Sequence, residues 1–191
     1  MKYLFFIAAF FISQLVNAQI NVNVYWTEQT NMTASDVIYY STNKPLAWND
    51  FKGKPVESSR AAAITASGFG YKADIKNTGS KGQLNIGVYC YFNKNNSWVK
   101  TGKTSGYILT HEQNHFNISF IAASIFMEKL RAASITNSNY NVLLPRFYNE
   151  TIDIMNKMQD DYDGQTNNGQ LKDMQTKWDQ YIIKRVSAIT N

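Results

Sequence analysis

Residues 107–131 read YILTHEQNHFNISFIAASIFMEKLR, and the organisation of the chain follows from this stretch. Apolar side chains recur at helical intervals through Ile108, Ile118, Ala122 and Phe126, with no Pro or Gly between them, so the spacing predicts one long helix from Tyr107 to Arg131. On a wheel of about 100° per residue with His111 at zero, His115 falls at about 40°, Ile108 and Phe126 at about 60°, and Ile118 at about −20°. Both histidines therefore lie inside the apolar stripe.

Downstream, two further helical patterns run from Val142 to Tyr162 and from Gln170 to Ile189, separated by Asn137-Ser138-Asn139 and by Gly164 to Gly169. Upstream the period changes to two. Ile20 to Trp26 alternates, Asp36 to Thr42 carries Val37-Ile38-Tyr39-Tyr40, and Ala63 to Ile75 and Gln83 to Phe92 flank the turn Asn77-Thr78-Gly79-Ser80-Lys81-Gly82 as an antiparallel hairpin. Strands followed by helices predict an α+β fold: an N-terminal antiparallel β-sheet, then three helices.

The chemistry lies in His111-Glu112-Gln113-Asn114-His115. A spacing of four sets two imidazoles one turn apart on one face, close enough to hold one Zn²⁺, and the Glu after the first His stands beside the metal to take a proton from a bound water. This is the HExxH pattern of zincins, so the expected architecture is zincin-like with the motif on the first long helix. Two buried imidazoles with no shared partner would be costly, and a metal ion supplies that partner.

The 191 residues are 44% hydrophobic and 17% charged, which suits a single core and excludes disorder and a disulfide scaffold. Nineteen Lys and Arg against fourteen Asp and Glu give a formal charge of +5, but no basic cluster with interleaved aromatics marks a nucleic-acid surface. Residues 1–18 place Lys2 before the apolar run Leu4 to Ile12 and end in Val16-Asn17-Ala18, so a cleavable signal peptide is expected, leaving a single domain over 19–191 that is secreted or periplasmic. No stretch of the mature chain approaches the roughly 20 apolar residues of a membrane span. The lone Cys90, in Val88-Tyr89-Cys90-Tyr91-Phe92, reads as a buried structural thiol.

Four segments in order carry a resemblance: Leu46-Ala47-Trp48-Asn49-Asp50-Phe51-Lys52-Gly53-Lys54-Pro55, Ala61 to Tyr71, His111 to Phe116, and Tyr162-Asp163-Gly164-Gln165-Thr166-Asn167-Asn168-Gly169 with Trp178. Together they resemble the bacterial domain-of-unknown-function 922 family, described as predicted secreted zinc-dependent proteases. The resemblance covers most of the mature chain and implies a zinc hydrolase whose substrate it leaves open; a peptide or protein substrate is the expectation. The chain departs from it at one position: the family's last segment usually reads Tyr-Asp-x-x-Thr-x-His-Gly, and Asn168 stands where that His would fall.

Beside His111 and His115 this chain has therefore either recruited another ligand or lost tight metal binding. Glu128 lies thirteen residues past His115, roughly 20 Å along the axis, and cannot reach. Glu150 stands in Asn149-Glu150-Thr151, similar to the Asn-Glu that provides a ligand in gluzincins, but at the margin of its helix's apolar face. Asp163 sits where the helix ends and the resembling segment begins and is the choice, with Glu150 and Asn168 as alternatives. Glu112 is then the catalytic base, Tyr162 is placed by the resemblance as the phenol that steadies an oxyanion, and the strand Gln83 to Phe92 offers an edge for an extended substrate. The reading is a secreted zinc metallopeptidase. The alternative, kept open by Asn168, is a catalytically inactive exported binding module with the same fold.

Overall fold

The computed structural model describes residues 20–78 and 81–190; the expected signal peptide lies outside the described residues. Strands come first: β1 (Ile20–Trp26), β2 (Val37–Tyr39), β3 (Ala63–Ile64), β4 (Ser67–Thr78), β5 (Lys81–Asn93) and β6 (Trp98–Val99). Helices follow: α1 (Gly106–Ala132), α2 (Tyr140–Thr166) and α3 (Lys172–Thr190). The order is α+β; α1 extends one residue beyond its expected range at each end, α2 extends two residues before and four after, and α3 is shifted to start two residues later and end one later.

β5 is the centre of the sheet, because its alternate residues Leu84, Ile86, Val88, Cys90 and Phe92 are all buried and turn toward α1. β4 pairs with it antiparallel along its length, from Ser67 opposite Phe92 to Thr78 opposite Lys81, as the hairpin reading expects. The other edge of β5 is shared between β2, antiparallel, and β1, which runs parallel from Ile20 opposite Gly82 to Trp26 opposite Val88. The sheet is thus mixed, not antiparallel as expected: β1 and β5 are far apart in sequence, so no hairpin imposes an antiparallel direction on them. Cys90 is buried at the middle of this sheet, where burial pushes its thiol up.

The stretch Ala63 to Ile75, expected as one strand, is two. The ladder breaks at Thr65-Ala66, where the Ala66 amide donates to Ser97 Oγ at 2.9 Å, and β3 leaves to form a small separate ladder with β6. This break sits directly over α1.

Helix α1 starts at Ser105, whose Oγ accepts from the Ile108 amide, capping an otherwise unpaired N–H. Every residue from Ile118 to Ser124 is buried, a pattern no one-sided amphipathic helix shows. The reason is that α1 is enclosed, by the sheet on one side and by α2 and α3 on the other. Phe116 packs on Phe92 and Tyr40, and Phe120 stacks between Tyr40 and Trp26, so this face belongs to the sheet. The histidines face the other way, toward the helices. Among the described residues no helix is long and apolar enough to cross a membrane.

Candidate metal centre

The two imidazoles of α1 approach each other tip to tip, with Nε2 of His111 3.3 Å from Nε2 of His115. Asp163, in the last turn of α2, completes the group: its Oδ1 lies 3.2 Å from His111 Nε2 and 3.1 Å from His115 Nε2. One ligand atom from each of the three residues lies within 4.8 Å of the others, a separation at which they could hold a metal ion.

The protonation of the rings follows from their far sides. Gln159, one turn before Asp163 on α2, donates its amide N–H to the His115 carbonyl oxygen at 2.9 Å, which directs its Oε1 at His115 Nδ1, 2.5 Å away. Gln175 of α3 donates to Tyr162 Oη at 2.5 Å and to Asp179 Oδ1 at 2.7 Å, which directs its Oε1 at His111 Nδ1, 2.9 Å away. An amide oxygen can only accept, so both Nδ1 atoms carry hydrogen, an assignment made from the hydrogen-bond network. Both Nε2 atoms of the neutral rings therefore turn lone pairs toward the same point as the carboxylate.

Three acceptors facing one point repel one another unless a cation lies between them. Asp163 Oδ1 makes this plain, since it is buried and accepts no hydrogen bond. With no cation between them, burial pushes the Asp163 carboxyl up, and the two imidazoles, once protonated at Nε2 and donating to it, outweigh that and hold it well below the usual carboxylate range. Burial disfavours the charged form of His115, but Asp163 and Glu112 together raise it above its ordinary value.

Glu112 is 4% exposed. Thr65, at the break between β3 and β4, donates its hydroxyl to Glu112 Oε2 at 2.8 Å and lies 3.1 Å from the Glu112 carbonyl oxygen. Burial raises the Glu112 carboxyl, against the opposing pull of His115, Thr65 and His111. His111, Glu112, His115 and Asp163 all line one cleft of about 770 Å³, walled by Arg60 to Thr65 on one side and by Met155, Asn156, Gln159 and residues 168–170 on the other.

Two expectations meet a different geometry. Tyr162 is wholly buried behind His111, its ring stacked on that imidazole at 4.6 Å. Its hydroxyl accepts from Gln175 and Asn114 and turns to the His111 carbonyl oxygen, so it braces the helix from the rear and has no reach to an oxyanion in the cleft. The strand Gln83 to Phe92 has no free edge, because β5 is paired on both sides. The backbone that borders the cleft is instead Ala61 to Thr65, and β3 pairs only with β6 among the described strands.

Of the alternative ligands, Glu150 is remote from the group and pairs with Lys129 at 2.7 Å and Arg146 at 3.6 Å. Asn168 lines the cleft from a left-handed turn with φ of 53°, but the three-residue group closes without it. Gly169 follows with φ of 77°, and a Cβ there would come within 3.2 Å of His111 Nδ1, so only glycine lets this turn close over the ring. Gln159, Gln175 and Thr65 were not legible as site residues. The only signal was that Gln159, in the expected second helix, lies four residues before Asp163, which directly follows that helix's expected end. The chain matches no protein-family model, no curated protein and no solved structure.

Proposed function

We propose that this protein is a zinc-dependent hydrolase of peptide bonds. The observation that supports the reading is the near-equilateral triangle of His111 Nε2, His115 Nε2 and Asp163 Oδ1, with edges of 3.3, 3.2 and 3.1 Å. Tetrahedral ligands at zinc bond lengths of about 2.0–2.1 Å stand about 3.3–3.4 Å apart, so the three atoms fit one ion with almost no movement. Two imidazoles and a carboxylate are a donor set suited to Zn²⁺, and three protein ligands leave a fourth position open. When bound there, Zn²⁺ supplies polarisation of a carbonyl oxygen and a lowered pKa for water.

The remaining work belongs to this chain's own groups. Gln159 and Gln175 hold the two imidazoles in the tautomer that frees Nε2. Thr65 occupies Glu112 Oε2, which leaves Oε1 as the oxygen that takes a proton from water and returns it to the leaving amine. Burial of Glu112 raises its carboxyl above its ordinary value, the direction that favours holding a proton before returning it. Export of the protein rests on the sequence of residues 1–18.

Metal analysis of the purified protein and a Glu112→Gln variant assayed on a mixed peptide library test this reading. It expects one zinc per chain in both proteins and peptide cleavage in the native one only. Absence of zinc from both, or equal cleavage by both, would overturn it.

A further inference from the structure

The cleft carries charge of one sign outside its centre. Arg60, Lys100, Lys103 and Lys172 line it, and among the described residues the only carboxylates that line it are Glu112 and Asp163. Arg60, Lys100 and Lys103 belong to the wall that includes β3, and Lys172 opens α3 on the opposite wall. Among the described residues none of the four is in an ion pair, whereas Lys129, Arg146 and Lys157 elsewhere on the surface each have a carboxylate. Lys100 is held in place: its Nζ donates to the backbone carbonyls of Glu57 at 3.0 Å and Ser59 at 2.5 Å, contacts that orient the ammonium without neutralising it. Glu112 and Asp163 together would balance a divalent cation, so the four rim cations set the sign of the field along the cleft.

We propose that the cleft selects peptides bearing carboxylate side chains close to the bond presented at the centre. Cleft walls of low dielectric concentrate such a field and raise the local concentration of ligands of opposite sign. Peptide is the ligand these walls suit, because among the described residues Tyr107 is the only Phe, Tyr or Trp lining the cleft and a single-stranded nucleic acid needs several faces on which to stack its bases. Cleavage of these peptides rests on the peptidase reading above; their selection is tested apart from it.

Binding is measured by fluorescence anisotropy on the zinc-supplemented full-length Glu112→Gln protein, using labelled short peptides rich in Glu and Asp and their Gln and Asn counterparts. The acidic set binds about tenfold more tightly at low salt, and the advantage shrinks as salt screens the rim. Arg60→Glu with Lys103→Glu removes the preference. Lys76→Glu with Lys184→Glu, an equal change of net charge away from the cleft, retains it. Equal binding of the two peptide sets, equal losses in the two double variants, or equally tight binding of an oligonucleotide of the same charge would each overturn the inference. Preference without cleavage by the native protein supports the inference and counts against the peptidase reading; cleavage without preference does the reverse.

Discussion

Gln159 and His115 are joined twice: the amide oxygen sits 2.5 Å from His115 Nδ1, and the amide nitrogen donates to the His115 carbonyl oxygen at 2.9 Å. One side chain of α2 thus sets both the tautomer of the ring and the distance of α2 from the backbone of α1. Asp163, one turn further along α2, is carried to Nε2 of the same ring. The link between positioning residue and ligand is a single helical turn.

Replacing His111, His115 or Asp163 singly by Ala removes stoichiometric zinc, since two ligands bind weakly where three close a site. Glu112→Gln keeps the metal and loses hydrolysis. Metal content by mass spectrometry and peptide turnover separate the two classes. Zinc at about one hundred times its Kd raises unfolding stability by about 2.7 kcal/mol, so a chelator lowers the melting temperature of the native protein and not that of the three Ala variants.

Gln159→Met and Gln175→Met preserve side-chain length and remove the acceptor at each Nδ1. Each weakens zinc binding by about 10- to 100-fold, because the ring tautomer and orientation are no longer held. Competition with a chromogenic chelator reads this directly. Unchanged affinity in both would mean the rings need no support.

Tyr162→Phe leaves zinc stoichiometry intact and turnover close to native, because the hydroxyl faces the Gln175 and Asn114 amides and not the cleft. It lowers stability by about 1–3 kcal/mol, since buried donors lose their acceptor. Urea unfolding measures the second effect. A fall of a hundredfold or more in kcat with unchanged stability would restore the oxyanion role to this phenol.

Asn168→Ala costs about 1 kcal/mol because the residue holds a left-handed conformation, yet it leaves zinc affinity unchanged. Glu150→Ala also leaves it unchanged, removing only surface pairs with Lys129 and Arg146. Loss of zinc from either variant, measured beside Asp163→Ala, would move the third ligand.

What the sequence determined by itself is what repeats at short range. A helix of 3.6 residues per turn places His111 and His115 on one face whatever surrounds them, and the change from strand period to helical period after residue 103 marks the α+β order. The hairpin of β4 and β5 was legible for the same reason, as a turn between two alternating runs. The parallel direction of β1 and the break at Thr65 were not, because each is settled by neighbours far along the chain. Asp163 stands forty-eight residues from His115, and periodicity could show that it and Gln159 share a face but not that this face meets α1. Only packing of α2 and α3 against an α1 already buried by the sheet brings Asp163, Gln159 and Gln175 to the two rings, and the same packing turns Tyr162 inward and leaves Glu150 outside. Local geometry is written in adjacent residues, whereas the closure of a site depends on which apolar faces find one another, and that is a property of the whole core.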